Sequence, residues 1–142
     1  EHGCIADYSN GGTDIDLVAP GGGSDGYFTD VGCDPGGRAG RGIVQLTLIG
    51  ARHTKLGLAA RDGTSMASPQ VAAAAAAVIA SGVIGKKPTP AAVQLRLQRT
   101  ARDLGPKGRD LRYGYGLVDL AAATRPSTPA PAKSPAPAKS SG

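Results

Sequence analysis

The sequence predicts an α/β fold, and three stretches carry that expectation. Ile43 to Ile49 alternates, with Val44, Leu46 and Leu48 on one face and Gln45 and Thr47 on the other, which is the two-residue period of a strand. Residues 65 to 81 read as a helix that is apolar all round and therefore buried on nearly every side. Thr89 followed by Pro90 starts a second helix, with Val93, Leu97, Ala101 and Leu104 at helical spacing.

The remaining elements follow in order. Ile15 to Ala19 reads as a short buried strand ended by Pro20 and the glycines Gly21 to Gly23. A Gly- and Asp-rich loop runs on to about Gly42. Gly50 to Lys55 makes a turn, and Leu56 to Ala60 returns as the hairpin partner of the 43–49 strand. The alanine run in the first helix has the highest helix propensity available. Gly105 fits the stop of the second helix, and a last short helix covers Val118 to Ala123 after the turn at Gly114 and Gly116.

From Pro126 the composition changes. Thr-Pro-Ala-Pro-Ala-Lys at 128–133 is nearly repeated as Ser-Pro-Ala-Pro-Ala-Lys at 134–139. Such a segment is extended and has no core. Residues 1–125 thus read as domain and 126–142 as a disordered Pro/Ala/Lys-rich tail or linker.

Bulk properties narrow the function. At 142 residues the chain is one domain or part of one. The net charge of +5 comes with scattered arginines and no basic stripe interleaved with aromatics, so nucleic-acid binding has little support. The longest apolar run, Val71 to Ala80, is far short of the ~20 residues that span a bilayer. No apolar leader segment follows Glu1. Cys4 and Cys33 can form one disulfide or remain two thiols, and they do not by themselves fix the compartment.

The chemistry centres on Ser65. Gly63 and Thr64 precede it and a helix follows at once, so its side chain stands beside unpaired backbone N–H groups that can stabilise an oxyanion. The plain alternative is a helix N-cap, for which serine is a common choice. Three weaker candidates stand beside it. Gly21-x-Gly23-x-x-Gly26 formally matches a dinucleotide fingerprint, but that motif must open a helix, and Tyr27 to Gly37 has no helical period. His2, Cys4, Cys33 and His53 have zinc-ligand chemistry without ligand spacing. Tyr113 and Tyr115 form either a stacking face or a packed turn.

Gly63-Thr64-Ser65-Met66-Ala67-Ser68-Pro69-Gln70-Val71-Ala72 resembles the nucleophile motif of subtilisin-like serine proteases, Gly-Thr-Ser-Met-Ala-Ser-Pro-His-Val-Ala-Gly. The flanks are similar too: Asp16-Leu17-Val18-Ala19-Pro20-Gly21 looks like the family's Ala-Pro-Gly turn, and Tyr113 to Asp119 like its closing Gly-x-Gly-x-Val-Asp turn. About residues 5 to 124 are covered. Gln70 stands where the family has His and Ala73 where it has Gly, both at supporting or packing positions.

The resemblance implies a three-layer fold with a mostly parallel sheet, of which this chain holds the C-terminal portion. It implies a serine endopeptidase acting on protein or peptide substrates, with Ser65 as nucleophile. The Ser65 N–H would act as an oxyanion donor, Thr64 would lie close by, and Gly63 would let the backbone approach substrate. Pro69 would sit in the first helical turn. The family's His-Gly-Thr-His-Val and oxyanion-Asn motifs are not in the chain. His2 and His53 do not match, and Asp7, Asp14 and Asp16 lie in the region that follows the oxyanion Asn. Catalytic Asp and His are therefore expected from an N-terminal part preceding Glu1. The alternative is an inactive fragment or pseudoenzyme that serves as a binding module. A secreted or cell-envelope location, a Cys4–Cys33 disulfide pinning the long loop, and calcium as a family ion follow from the resemblance alone. No acidic cluster defines a calcium site, and no cofactor is indicated.

The tail has no apolar face to bury. Truncation after Thr124 is expected to leave activity and melting temperature almost unchanged, as followed by peptidase assay and calorimetry.

Overall fold

The computed structural model describes residues 3–26, 33–34 and 42–126. The order is β1 (Ile43–Ile49), β2 (Lys55–Arg61), α1 (Thr64–Ser81), α2 (Pro90–Thr100) and α3 (Leu120–Thr124). The tail from residue 127 and most of the loop before Gly42 lie outside the described residues.

The alternating pattern at 43–49 gives the expected hairpin. β1 and β2 pair antiparallel, Ile43 opposite Arg61 and Leu46 opposite Leu58. Gly50 at φ 84° and His53 at φ 48° reverse the chain, and the His53 N–H donates to the Gly50 carbonyl at 3.0 Å. Histidine is one of the few side chains that tolerate this left-handed conformation. The apolar stripe of the hairpin faces outward: Leu46 is 67% and Leu58 74% exposed, with Val44, Leu48 and Leu56 beside them.

The mostly parallel sheet is not seen among the described residues, where the one sheet is the two-stranded antiparallel hairpin. The predicted strand at 15–19 is reduced to a single parallel bridge, Val18 with Leu117. Its backbone bonds of strand type all go to the segment 115–118. Tyr115 N–H donates to the Asp16 carbonyl (2.8 Å), Val18 N–H to Gly116 (3.0 Å) and Val118 N–H to Val18 (2.9 Å). A strand needs a continued ladder, and this segment has a partner for only three bonds.

Leu117 is held on its other side by Arg102, N–H to carbonyl in both directions at 2.8 and 2.9 Å. That pairing explains why α2 ends at Thr100, although the apolar spacing runs on through Ala101 to Leu104. Ala101 is already extended, because Arg102 gives both its backbone groups to Leu117. The start of α2 matches expectation, with Thr89 Oγ1 accepting the Ala92 N–H at 3.2 Å and Pro90 first in the helix. α3 begins two residues later than the pattern suggests, because Asp119 caps it through Ala122 N–H at 2.8 Å. The Arg96 guanidinium covers the other end of α3, donating to the carbonyls of Ala122 (3.1 Å), Ala123 (2.9 Å) and Arg125.

The core is Ala74 and Val78 of α1, Val93 and Leu97 of α2, and Ala123 of α3, flanked by Leu17, Val71 and Val118. All of it lies on one side of α1. The expectation of a helix buried on nearly every side is therefore not met: Ala72, Ala73, Ala76, Ile79 and Ala80 are exposed. α2, α3 and the 17/118 segment supply packing for one face, and no described residue packs on the opposite one. Among the described residues no helix is long and apolar enough to cross a membrane.

Gly116 is the tightest point of this packing. Its φ is 114°, and a Cβ there would sit 2.2 Å from the Arg102 carbonyl oxygen. Gly116→Ala must strain the backbone and break the Arg102–Leu117 pairing. It is expected to cost about 3 kcal/mol, read as a lowered urea midpoint at unchanged m-value.

Candidate active site

Asp62 and Gly63 turn the chain from β2 into α1. Gly63 is the N-cap, with φ 138° and no side chain to cap with, and its carbonyl accepts the Met66 N–H at 3.0 Å. Such a φ favours glycine. The helix begins at Thr64, so Ser65 is its second residue rather than its cap. Its N–H thus belongs to the first-turn group that the helix leaves without an internal acceptor. Ser65 is exposed. Pro69 is the sixth residue of α1 and not in the first turn; having no N–H, it leaves the Ser65 carbonyl without its donor four residues on.

Three consecutive carbonyls hold this helix start. Gln70 Nε2 donates to the Pro20 carbonyl at 2.5 Å and to Met66 at 3.0 Å. Gly63 N–H donates to Gly21 at 2.9 Å. The Tyr8 hydroxyl donates to Gly22 at 2.6 Å. Each such bond contributes roughly 1 kcal/mol net, and together they fix the Pro20–Gly22 turn against the residues before Ser65. Burial raises the Tyr8 phenol above its ordinary value of 10.0; the Gly63 backbone hydrogen bond opposes the rise, and the Asp62 and Asp7 carboxylates add to it.

This arrangement explains the glycines that mimic a dinucleotide fingerprint. A Cβ on Gly21 would lie 2.5 Å from Tyr8 Oη and 3.0 Å from the Gly63 oxygen, and one on Gly23 would lie 2.7 Å from Tyr8 Cε1. The glycines make room for Tyr8, and residues 23–26 open no helix. Sequence reasoning missed Tyr8. The available signal was an aromatic residue upstream of a run of three glycines, which has no meaning until the two segments are brought together.

The zinc set does not assemble. Cys4 and Cys33 form a disulfide, Cα–Cα 5.7 Å, which removes both thiolates as ligands. His53 is at the tip of the hairpin, and His2 lies outside the described residues. Asp25 lies close to the two sulfurs, and it accepts the Asp34 N–H at 3.0 Å. Around the disulfide, Gly26 N–H donates to Ile5 (2.8 Å) and Asp7 N–H to Ser24 (3.0 Å). Closing a loop of this size stabilises by about 3–4 kcal/mol. Tyr113 is buried and Tyr115 lies under the Arg109 guanidinium, 5.5 Å from the ring centre. The pair is a packed turn, not a stacking face.

Two clefts flank the helix start. One, of about 380 Å³, is lined by Tyr8, Gly21, Gly23, Thr64 and Ala67. The other, of about 870 Å³, runs between α1 and α2 past Thr64, Ser68, Val71 and Val93. Thr64 lines both and Ser65 stands outside them. Among the described residues no histidine hydrogen-bonds the Ser65 hydroxyl.

The subtilase family model matches residues 1–116. The chain belongs to the subtilase family. It is also similar to a solved structure described as the crystal structure of a lanthipeptide protease, at 30% identity and a TM-score of 0.64. The match covers 84% of this chain and 37% of that one, so this subtilase chain spans well under half of its structural relative. No curated protein matches the sequence.

Proposed function

We propose that the protein is a subtilisin-like serine endopeptidase with Ser65 as its nucleophile. One observation carries this reading: Gly63-Thr64-Ser65-Met66-Ala67-Ser68-Pro69 falls at the start of α1, with Ser65 exposed as the second helical residue. The Ser65 hydroxyl attacks a peptide carbonyl as a histidine takes its proton and an aspartate orients that histidine. The negative charge that develops on the carbonyl oxygen faces the N–H groups of the first turn, Ser65 among them. Thr64 and Gly63 shape the backbone beside it. Collapse expels the amine, which takes the proton from the histidine, and water then hydrolyses the acyl-enzyme.

In this reading the catalytic Asp and His and the oxyanion Asn belong to sequence preceding Glu1. The uncovered face of α1, from Ala72 through Ile79, supports it, since a helix apolar all round calls for packing on both sides. Substrates are proteins or peptides. The Cys4–Cys33 bond fits a secreted or cell-envelope location, where disulfides persist.

In the full-length protein a fluorophosphonate is expected to label Ser65. Ser65→Ala is expected to lower kcat on the order of 10⁶-fold, as for the equivalent serine of subtilisin. Near-normal activity in that variant would end the assignment. An unlabelled wild type would favour the binding-module alternative.

The chain Glu1–Gly142 by itself is expected to show no appreciable peptidase activity. The catalytic His is expected elsewhere, and an oxyanion Asn is worth roughly 10²–10³ in rate in subtilisin. Casein hydrolysis would be measured with and without phenylmethylsulfonyl fluoride; inhibitor-sensitive turnover would refute the half-domain reading and return His2 and His53 to consideration.

A further inference from the structure

Tyr8 lies outside the nucleophile motif, and no step of the proposed mechanism uses it. Its hydroxyl nevertheless meets the motif from behind. It donates to the Gly22 carbonyl at 2.6 Å, and its oxygen also faces the Gly63 backbone, whose N–H donates to Gly21 at 2.9 Å. Its ring fills the space that a side chain on Gly23 would need, against Asp62. Gly63 is two residues before Ser65 and has no side chain to cap α1. The direction in which the chain enters the helix is therefore set by what lies behind Gly63, and among the described residues Tyr8 is the side chain outside α1 that hydrogen-bonds the turn there, at Gly22. Gln70 makes the tie at Pro20, but from inside α1, one turn after Ser65.

We propose that Tyr8 is a positioning residue for the nucleophile: its hydroxyl locks the Gly21–Gly23 turn onto Gly63 and so fixes where the first turn of α1 presents Ser65. The proposal rests on the reading of Ser65 as the nucleophile. Tyr8 touches no reacting atom. It acts through Gly63, and a displacement of about 1 Å at a reacting group costs up to 10² in rate.

Tyr8→Phe in the full-length protein tests this, because the ring that packs on Gly23 stays and only the hydroxyl goes. The kcat per fluorophosphonate-titrated site is expected to fall about tenfold, with KM within about twofold, as expected for a group that acts on geometry and not on substrate binding. Amide exchange at Gly63, Thr64 and Ser65 is expected to quicken by about the same factor. In the wild type, kcat should also fall reversibly at alkaline pH, above the ordinary tyrosine range because burial raises this phenol, when it ionises and can no longer donate to Gly22. Asp7 and Asp62 are the carboxylates that act on this phenol, and the Phe variant should lack this limb.

An unchanged kcat with unchanged exchange overturns the proposal. So does a loss of activity that vanishes once rates are expressed per titrated site, since that is a folding defect only. If the wild type fails to label at Ser65, the nucleophile reading falls on its own account. The exchange comparison then decides the lock alone: faster exchange in the variant supports it, and equal exchange overturns it.

Discussion

The bond from Gly63 N–H to the Gly21 carbonyl is the constraint on which the rest of this structure turns. It joins a loop near the N-terminus to the residue that caps α1, across forty-two positions of sequence. Once it forms, the chain on both sides is committed. Upstream, the carbonyls of Pro20 and Gly22 are brought within reach of Gln70 and Tyr8. Downstream, α1 is aimed so that Ala74 and Val78 meet Val93, Leu97 and Ala123. A bond worth roughly 1 kcal/mol can direct this much because one of the groups it aligns is already locally structured, a helix of strong helix formers.

Local features were legible in the sequence because their physics is local. The hairpin follows from the alternation at 43–49 and the turn at Gly50, and the start of α2 from Thr89 and Pro90, each needing only a few neighbouring residues. The ends of elements were not legible. α2 stops at Thr100 because Arg102 pairs with Leu117, fifteen residues away, and no periodicity reports that. The segment at 15–19 has a strand's composition but finds only three backbone bonds to residues 115–118 in place of a ladder. The glycines at 21–23 were ambiguous for the same reason. In sequence they formally match a dinucleotide fingerprint that lacks its helix, and in space they make room for Tyr8.

The site divides along similar lines. The motif from Gly63 to Pro69 was readable as a string, and its place at a helix start agrees with the structure. What holds it in place was not readable. Gln70, set apart in the sequence as a departure from the family pattern, donates to both Pro20 and Met66, so the departure comes with hydrogen bonds of its own. Pro69 falls deeper in the helix than expected and leaves the Ser65 carbonyl without an internal donor. Both facts concern backbone groups, and backbone groups carry no residue identity for a sequence reading to use.

The distribution of burial bears on how a nucleophile and a general base from different parts of a chain could work together. The ties behind Ser65 are all made within residues 8–70, and none of them depends on the exposed face of α1. That face, with Ala72, Ala73, Ala76 and Ala80 beside Ile79, is made mostly of small apolar side chains. These permit close helix or sheet approach while contributing little side-chain entropy cost on ordering. Under the proposed reading, the geometry of the nucleophile is therefore set before the rest of the domain packs. Packing then has to place the histidine, its aspartate and the oxyanion Asn. The two requirements rest on different residues: Tyr8, Gly21 and Gln70 for the first, and the uncovered stripe of α1 for the second. A defect in one need not appear as a defect in the other.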